Sequence, residues 1–221
     1  MKVRIVFLES TGRKFNIRQI WTIRKAIRNS AEEAVELLNL NRKLIFTFTV
    51  YPLNRRVEGK PWVGGTAQAK DWVDLTIPTK PYPDLEVDLR GTIFHEMHHT
   101  ARNYCFHTMR GSERSLINAV FSEGLATVFE TKSRKPPYAE YDPVMIEKWL
   151  PLLKEEMWNR DYNHYDWFFG EDEKWWLGYK IGVYLVRQIL QSNPDLTPEN
   201  LASTSAKELL KLTNNQILIG P

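Results

Sequence analysis

Residues 91–103 read GTIFHEMHHTARN, and His95, Glu96, His98 and His99 stand within five positions of one another. His95, Glu96 and His99 spell H-E-x-x-H. On an α-helix, positions four apart share a face, with about 5–6 Å between Cβ atoms. Two imidazoles at that separation can bind one Zn2+ at about 2.0–2.1 Å each. Glu96, one residue after the first imidazole, points beside such a metal rather than at it. That is where a base for an attacking water has to stand. The same pattern also occurs on helices that bind nothing, so a third donor has to separate a metal centre from a polar helix face.

A catalytic zinc keeps three protein ligands and one open position. The extended pattern that takes a third His from farther along the chain fails here. Arg102 stands at its Gly position and Cys105 at its His position. The next helical stretch, FSEGLATVFE, offers Glu123 among Phe121, Leu125 and Ala126. A carboxylate in such apolar surroundings needs a partner. The intervening FHTMRGSER contains Gly and Ser and can turn the chain back, so that two antiparallel helices bring Glu123 to the His pair. Gly124 costs a helix about 1 kcal/mol relative to Ala, which a close helix approach would justify. His95, His99 and Glu123 are therefore the expected ligands and Glu96 the expected base. By helical phase His98 lies on the Phe94 and Cys105 side and reads as a structural histidine. His107 and His164 fall in loops and read as surface histidines. Glu130 is one full repeat after Glu123, about 10.5 Å along the axis, too far to share the ion.

These residues need elements to hold them. MKVRIVFLES alternates apolar residues and predicts a strand, and TGRKFN a turn. Apolar residues from Ile20 and Trp21 to Leu38 predict a helix over about 17–40. KLIFTFTVY predicts a second strand and PLNRRVEGKP a loop. WVGGTAQAKDWVDLTI reads as two short extended pieces around a polar centre. After PTKPYPDL the pattern turns helical. Leu89, Ile93, Met97 and Ala101 share a face from about Asp84 onward, and further helices are expected over about 115–132, 143–158 and 174–191. NRDYNHYDWFFGEDE reads as an aromatic, acidic loop. Thr197 and Pro198 read as the cap and first position of a short terminal helix. A strand-rich part (1–83) followed by a helical part carrying the metal site (84–221) is an α+β layout in a single domain.

The bulk composition is that of an ordinary globular chain. Of 221 residues, 43% are hydrophobic and 26% charged, enough for a substantial core. The net charge is +3 with basic residues dispersed, whereas a nucleic-acid binder shows a clustered basic stripe. NRRVEGK and SRKPP are short basic runs beside turn residues and read as solvated loops. The single cysteine excludes an internal disulfide and a Cys-x-x-Cys metal site. No stretch approaches the roughly 20 apolar residues that span a bilayer, and the N-terminus lacks a signal-peptide pattern. The expectation is a cytoplasmic protein with no membrane or nucleic-acid partner.

H-E-x-x-H on one helix and a Glu in SEGLA on the next resemble the gluzincin metallopeptidases. HEMHHTARN, DWFFG (166–170) and GYKIGVYLV (178–186) resemble more closely the YjaZ-like family of predicted Zn-dependent proteases. The resemblance covers about residues 90–190. It implies a zincin-like fold, a zinc cofactor and hydrolysis of peptide bonds in a peptide or protein substrate. Thr127 departs from thermolysin-like members, which carry an Asp four residues after the Glu ligand.

A peptidase also needs a donor for the oxyanion of the tetrahedral intermediate. Tyr179, between Gly178 and Gly182 and near Trp175 and Trp176, is the candidate, with Tyr165 second. Gly65 and Thr66 are candidates for an edge strand that takes up the substrate backbone, since Gly lets another chain approach closely. The alternative function is a zincin scaffold that holds zinc and captures a peptide without turnover. Glu96 favours the enzyme, because a purely structural zinc has no use for it.

Overall fold

The computed structural model describes residues 2–9, 12–41 and 43–219. Thr11, in the expected turn TGRKFN, lies outside the described residues. The chain divides into two compact units, Met1–Thr108 with Lys132–Arg134, and Met109–Thr131 with Lys135–Pro221.

The first unit is a mixed sheet and two long helices. Strand β1 (Lys2–Phe7) leads through α1 (Ile17–Leu37) to β2 (Ile45–Pro52), which pairs with β1 in parallel. A hairpin of β3 (Arg55–Val57) and β4 (Lys60–Trp62) follows, then β5 (Gly64–Ala69) and β6 (Trp72–Ile77). The order is β1-β2-β6-β5, with β6 parallel to β2 and β5 antiparallel at the edge. Register explains the core. Ile5 faces Phe48, Phe48 faces Val73, and Val73 faces Ala67, so one face is apolar across all four strands. Phe46, Phe48, Val50, Leu75 and Ile77 on it are at most 1% exposed. Each contributes about 1.5–3 kcal/mol by leaving water. The other face carries Thr49, Asp74 and Gln68, joined by Trp72 Nε1–H to Thr49 Oγ1 and Asp74 Oδ1 and by Gln68 Nε2–H to Asp74 Oδ2, each 2.9 Å.

Helix α1 starts at a reciprocal cap. Asn16 Oδ1 accepts from Gln19 N–H and Gln19 Oε1 accepts from Asn16 N–H, both at 2.9 Å. It ends near Asn39, whose φ of 49° leaves the helical region. It buries Ile23, Ala26, Ile27, Ala31 and Ala34, but Trp21, expected in the apolar stripe, is 72% exposed. At 100° per residue Trp21 falls roughly opposite Ile23 and Ile27, so the correction follows from helical phase. The segment read as a loop at 52–61 contains the β3–β4 hairpin. Its turn is Glu58-Gly59, with both φ values positive (49° and 76°). Strands of only three residues, RRV and KPW, carry too little alternation to be recognised.

Helix α2 (Leu85–Arg102) begins after Asp84, with Glu86 and Asp88 in its positively polarised first turn. Residues 91–100 are all buried, and the helix packs on α1 and β5. Arg90 grips Glu33 of α1 through two hydrogen bonds of 2.6 and 2.9 Å, which hold the Glu33 carboxyl below its usual pKa. The SRKPP run is not simply solvated. The Arg134 side chain is only 9% exposed. Its guanidinium donates to Asp88 Oδ1 (2.8 Å) and Thr92 Oγ1 (3.1 Å) and lies 4.6 Å from the Trp62 ring centre. Tyr82 O–H also donates to Asp88 (2.8 Å). This network fixes the turn of α2 that precedes His95.

The second unit is helical among its described residues. It contains α3 (Leu116–Glu130), α4 (Pro143–Glu156), α5 (His164–Phe169), α6 (Leu177–Ser192), α7 (Ala206–Leu212) and α8 (Gln216–Ile219). Helices α3 and α6 cross at Gly124 and Gly182, where a Cβ on either residue would collide with the backbone of the other helix. The close approach expected of Gly124 is therefore made to α6. The aromatic segment read as a loop contains α5, whose N-cap Asn163 accepts from Asp166 N–H at 3.2 Å. Helix α6 starts three residues later than expected because Trp176 has a φ of 58°. Thr197 caps only a 3-10 turn (Asn200–Ser203). The helix that follows, α7, is capped instead by Ser205, which forms a capping box with Glu208. No described helix is long and apolar enough to cross a membrane.

Candidate metal centre

His95 and His99 sit one turn apart on α2, 6% and 5% exposed. Their ring centres are 4.7 Å apart with the planes at 83°. The end of α2 is tied to His99 itself. Asn103 takes a left-handed conformation (φ 58°), and Tyr104 N–H donates to the His99 carbonyl at 2.9 Å. The Tyr104 ring lies 5.1 Å from the His99 ring, and Cys105 Sγ is 3.8 Å from the same carbonyl. Burial pushes the Cys105 thiol pKa up to about 11, so the thiol stays protonated. Sequence reasoning missed this clamp, although Asn103 after a helical run is a C-cap signal.

Glu96 is 7% exposed, and β5 lies directly on it. A Cβ built on Gly65 would stand 2.5 Å from Glu96 Cγ and 2.7 Å from its Oε1. Gly65 is therefore the residue that lets the edge strand rest on the carboxylate. Thr66, the next residue, faces the opposite side of the sheet, pairs with Asp74 and is exposed. Its hydroxyl donates to the Gly65 carbonyl at 2.7 Å. The two candidate substrate residues thus have different surroundings, and only Gly65 meets the carboxylate.

Glu123 lies in the middle of α3 and is 7% exposed. The Gly124–Gly182 crossing fixes the helix at that point. His164, read as a surface histidine, stacks on Phe168 with ring centres 4.6 Å apart at 21°, and its ring is close enough to Glu123 to feel its charge. Burial lowers the His164 pKa and the Glu123 carboxylate partly offsets that. Glu130 is fully buried and accepts from Tyr138 O–H at 2.8 Å, so its carboxylate is engaged away from any ion. Tyr179 is half-buried in an aromatic cluster, 4.8 Å from Tyr138, 5.5 Å from Phe168 and 6.3 Å from Phe169, ring centre to ring centre. Tyr165, the second candidate, is 65% exposed.

His95, His99 and Glu123 form a buried group that can hold a metal ion, each offering one donor atom within 4.8 Å of the others. His98, fully buried, is outside that group. Two imidazoles and one carboxylate are a donor set that suits zinc, which in catalytic sites takes three protein ligands. Burial also fits, since a carboxylate removed from water, as Glu123 is, is stabilised by a cation.

No curated protein matches the chain. Residues 23–211 match the family described as "Predicted Zn-dependent protease (DUF2268)". The family and the donor group both support zinc as the cofactor. With most of its length matched, the chain belongs to this family of predicted Zn-dependent proteases.

Proposed function

We propose that the protein is a zinc metallopeptidase of the gluzincin type, YjaZ-like and with a zincin-like fold. His95, His99 and Glu123 are its metal ligands and Glu96 its general base. The observation that carries this reading is the buried His-His-Glu donor group on helices whose H-E-x-x-H also supplies Glu96. Bound zinc supplies Lewis acidity, bringing the pKa of a water toward about 7 and polarising a carbonyl. Glu96 accepts the proton of the attacking water and delivers it to the leaving nitrogen as the peptide bond breaks. The backbone of β5 at Gly65 takes up the substrate as an added strand, aligning the scissile bond with Glu96. Thr66 contributes to that docking through its hydroxyl, which donates to the Gly65 carbonyl and helps to set its orientation. Tyr179 O–H donates to the oxyanion.

The test uses zinc content and turnover together. Glu96→Gln keeps zinc and loses hydrolysis of an unfolded protein substrate by about 100- to 10,000-fold, the worth of a general base. His95→Ala loses both. An active Glu96→Gln protein would sink the mechanism. Full zinc binding with no chelator-sensitive cleavage by the unmutated protein would leave the non-catalytic peptide-binding reading. Unchanged turnover in zinc-loaded Tyr179→Phe would remove Tyr179 from the mechanism.

A further inference from the structure

The edge strand that would carry the substrate is closed by the chain's own backbone. Phe106 N–H donates to the Ala67 carbonyl at 2.9 Å and His107 N–H to the Gln68 carbonyl at 3.0 Å. Two successive carbonyls can be met from one side because the register slips between Ala67 and Ala69, a bulge that re-aims Gln68. The capping loop is pinned at both ends. Tyr104 is bonded to the end of α2, Cys105 is fully buried, and the His107 ring stacks on Trp72 at 6.0 Å and 28°. The Phe106 ring, 68% exposed, stands beside the stop.

Alternate residues of a strand direct their pairing groups to the same side. Since Ala67 points its carbonyl outward to Phe106, Gly65 points its N–H and carbonyl outward too, over Glu96. On the other side of Gly65, the Val63 carbonyl already accepts from the Thr92 hydroxyl at 3.2 Å. That contact comes from a side chain, so the docking edge is a notch at Gly65 whose backbone stop, among the described residues, stands on the Ala67 side. Antiparallel addition is the more stable pairing and is how β5 already pairs with β6. A substrate added that way runs its N-terminal side from Gly65 toward Ala67. At about 3.4 Å per residue, it meets the Phe106 backbone within about two residues.

We infer that the substrates are peptides with a free N-terminus, from which the protein removes one or two residues at a time. This rests on the peptidase reading above. The open edge beyond the scissile bond is simply too short for a long N-terminal segment.

The experiment fuses one short mixed-sequence peptide to a stable folded carrier in two orientations, with either its N-terminus or its C-terminus free. Binding is measured to the zinc-loaded Glu96→Gln protein, and product ladders by mass spectrometry with the unmutated zinc-loaded protein. The fusion with the free N-terminus binds about tenfold or more tighter, the worth of one or two main-chain hydrogen bonds. It is also shortened from its N-terminus in steps of one or two residues. Asymmetric binding without cleavage of either fusion upholds the notch and overturns the peptidase reading. Cleavage of both fusions, or internal cuts leaving long N-terminal products, overturns the inference and keeps the peptidase. Preference for the free C-terminus, or no asymmetry in either readout, also overturns it.

Discussion

Gly65 shows how one missing side chain sets up a neighbour. A methyl group there would occupy the space of Glu96 Cγ and Oε1, so Gly65→Ala pushes the carboxylate aside without disturbing a core contact. The expected result is unchanged zinc content and melting temperature with turnover lowered about 10- to 100-fold, because small misplacements of a catalytic group are costly. Unchanged turnover would mean that Glu96 does not act from this position. Cys105 makes a second point at this scale. Its thiol pKa of about 11 follows from burial, so the thiolate fraction at pH 8 is small. Iodoacetamide at pH 8 should label the unfolded chain about 100-fold faster than the folded one, in keeping with the loss of thiolate and of access. Equal rates would contradict the burial of the α2 clamp.

At the scale of elements, two devices hold the helices that carry the donors. Arg134 ties Asp88 and Thr92 in the first half of α2 to Trp62, and the Tyr104 bond closes its last turn on His99. Helix α3 is held by its crossing with α6. Gly182→Leu places a side chain where the Val120 carbonyl and the Gly124 backbone already lie. Overpacking of this kind costs about 1–3 kcal/mol. Because the Gly124 backbone that it strikes is next to Glu123 on α3, the substitution should also weaken zinc binding. Urea denaturation and zinc titration check the two effects, and a stable variant with full zinc affinity would show that the crossing does not position Glu123.

At the scale of the molecule, zinc binding is linked to stability, since the donors are gathered only in the folded chain. At a free zinc concentration 100 times its dissociation constant, binding adds about 2.7 kcal/mol. For a chain of this size that raises the melting temperature by about 5–10 °C. A chelator should remove the gain in the unmutated protein and do nothing to His99→Ala or Glu123→Ala. A chelator-insensitive melting temperature would argue against these donors.

What the sequence by itself determined is local. H-E-x-x-H needs only the 3.6-residue period to put His95 and His99 on one side of α2. Glu123 stood out from its immediate apolar neighbours, and the approximate spans of α1 to α4 followed from periodicity. Short elements were illegible for the same reason. The β3–β4 strands and α5 span too few residues for a period to show. What only the tertiary structure decided involves partners distant in sequence. Gly65 lies on Glu96, Gly124 meets Gly182, Arg134 is drawn in by Asp88, and Phe106 closes the edge of β5. None of these pairings leaves a periodic trace, because each is set by the way strands and helices pack in space.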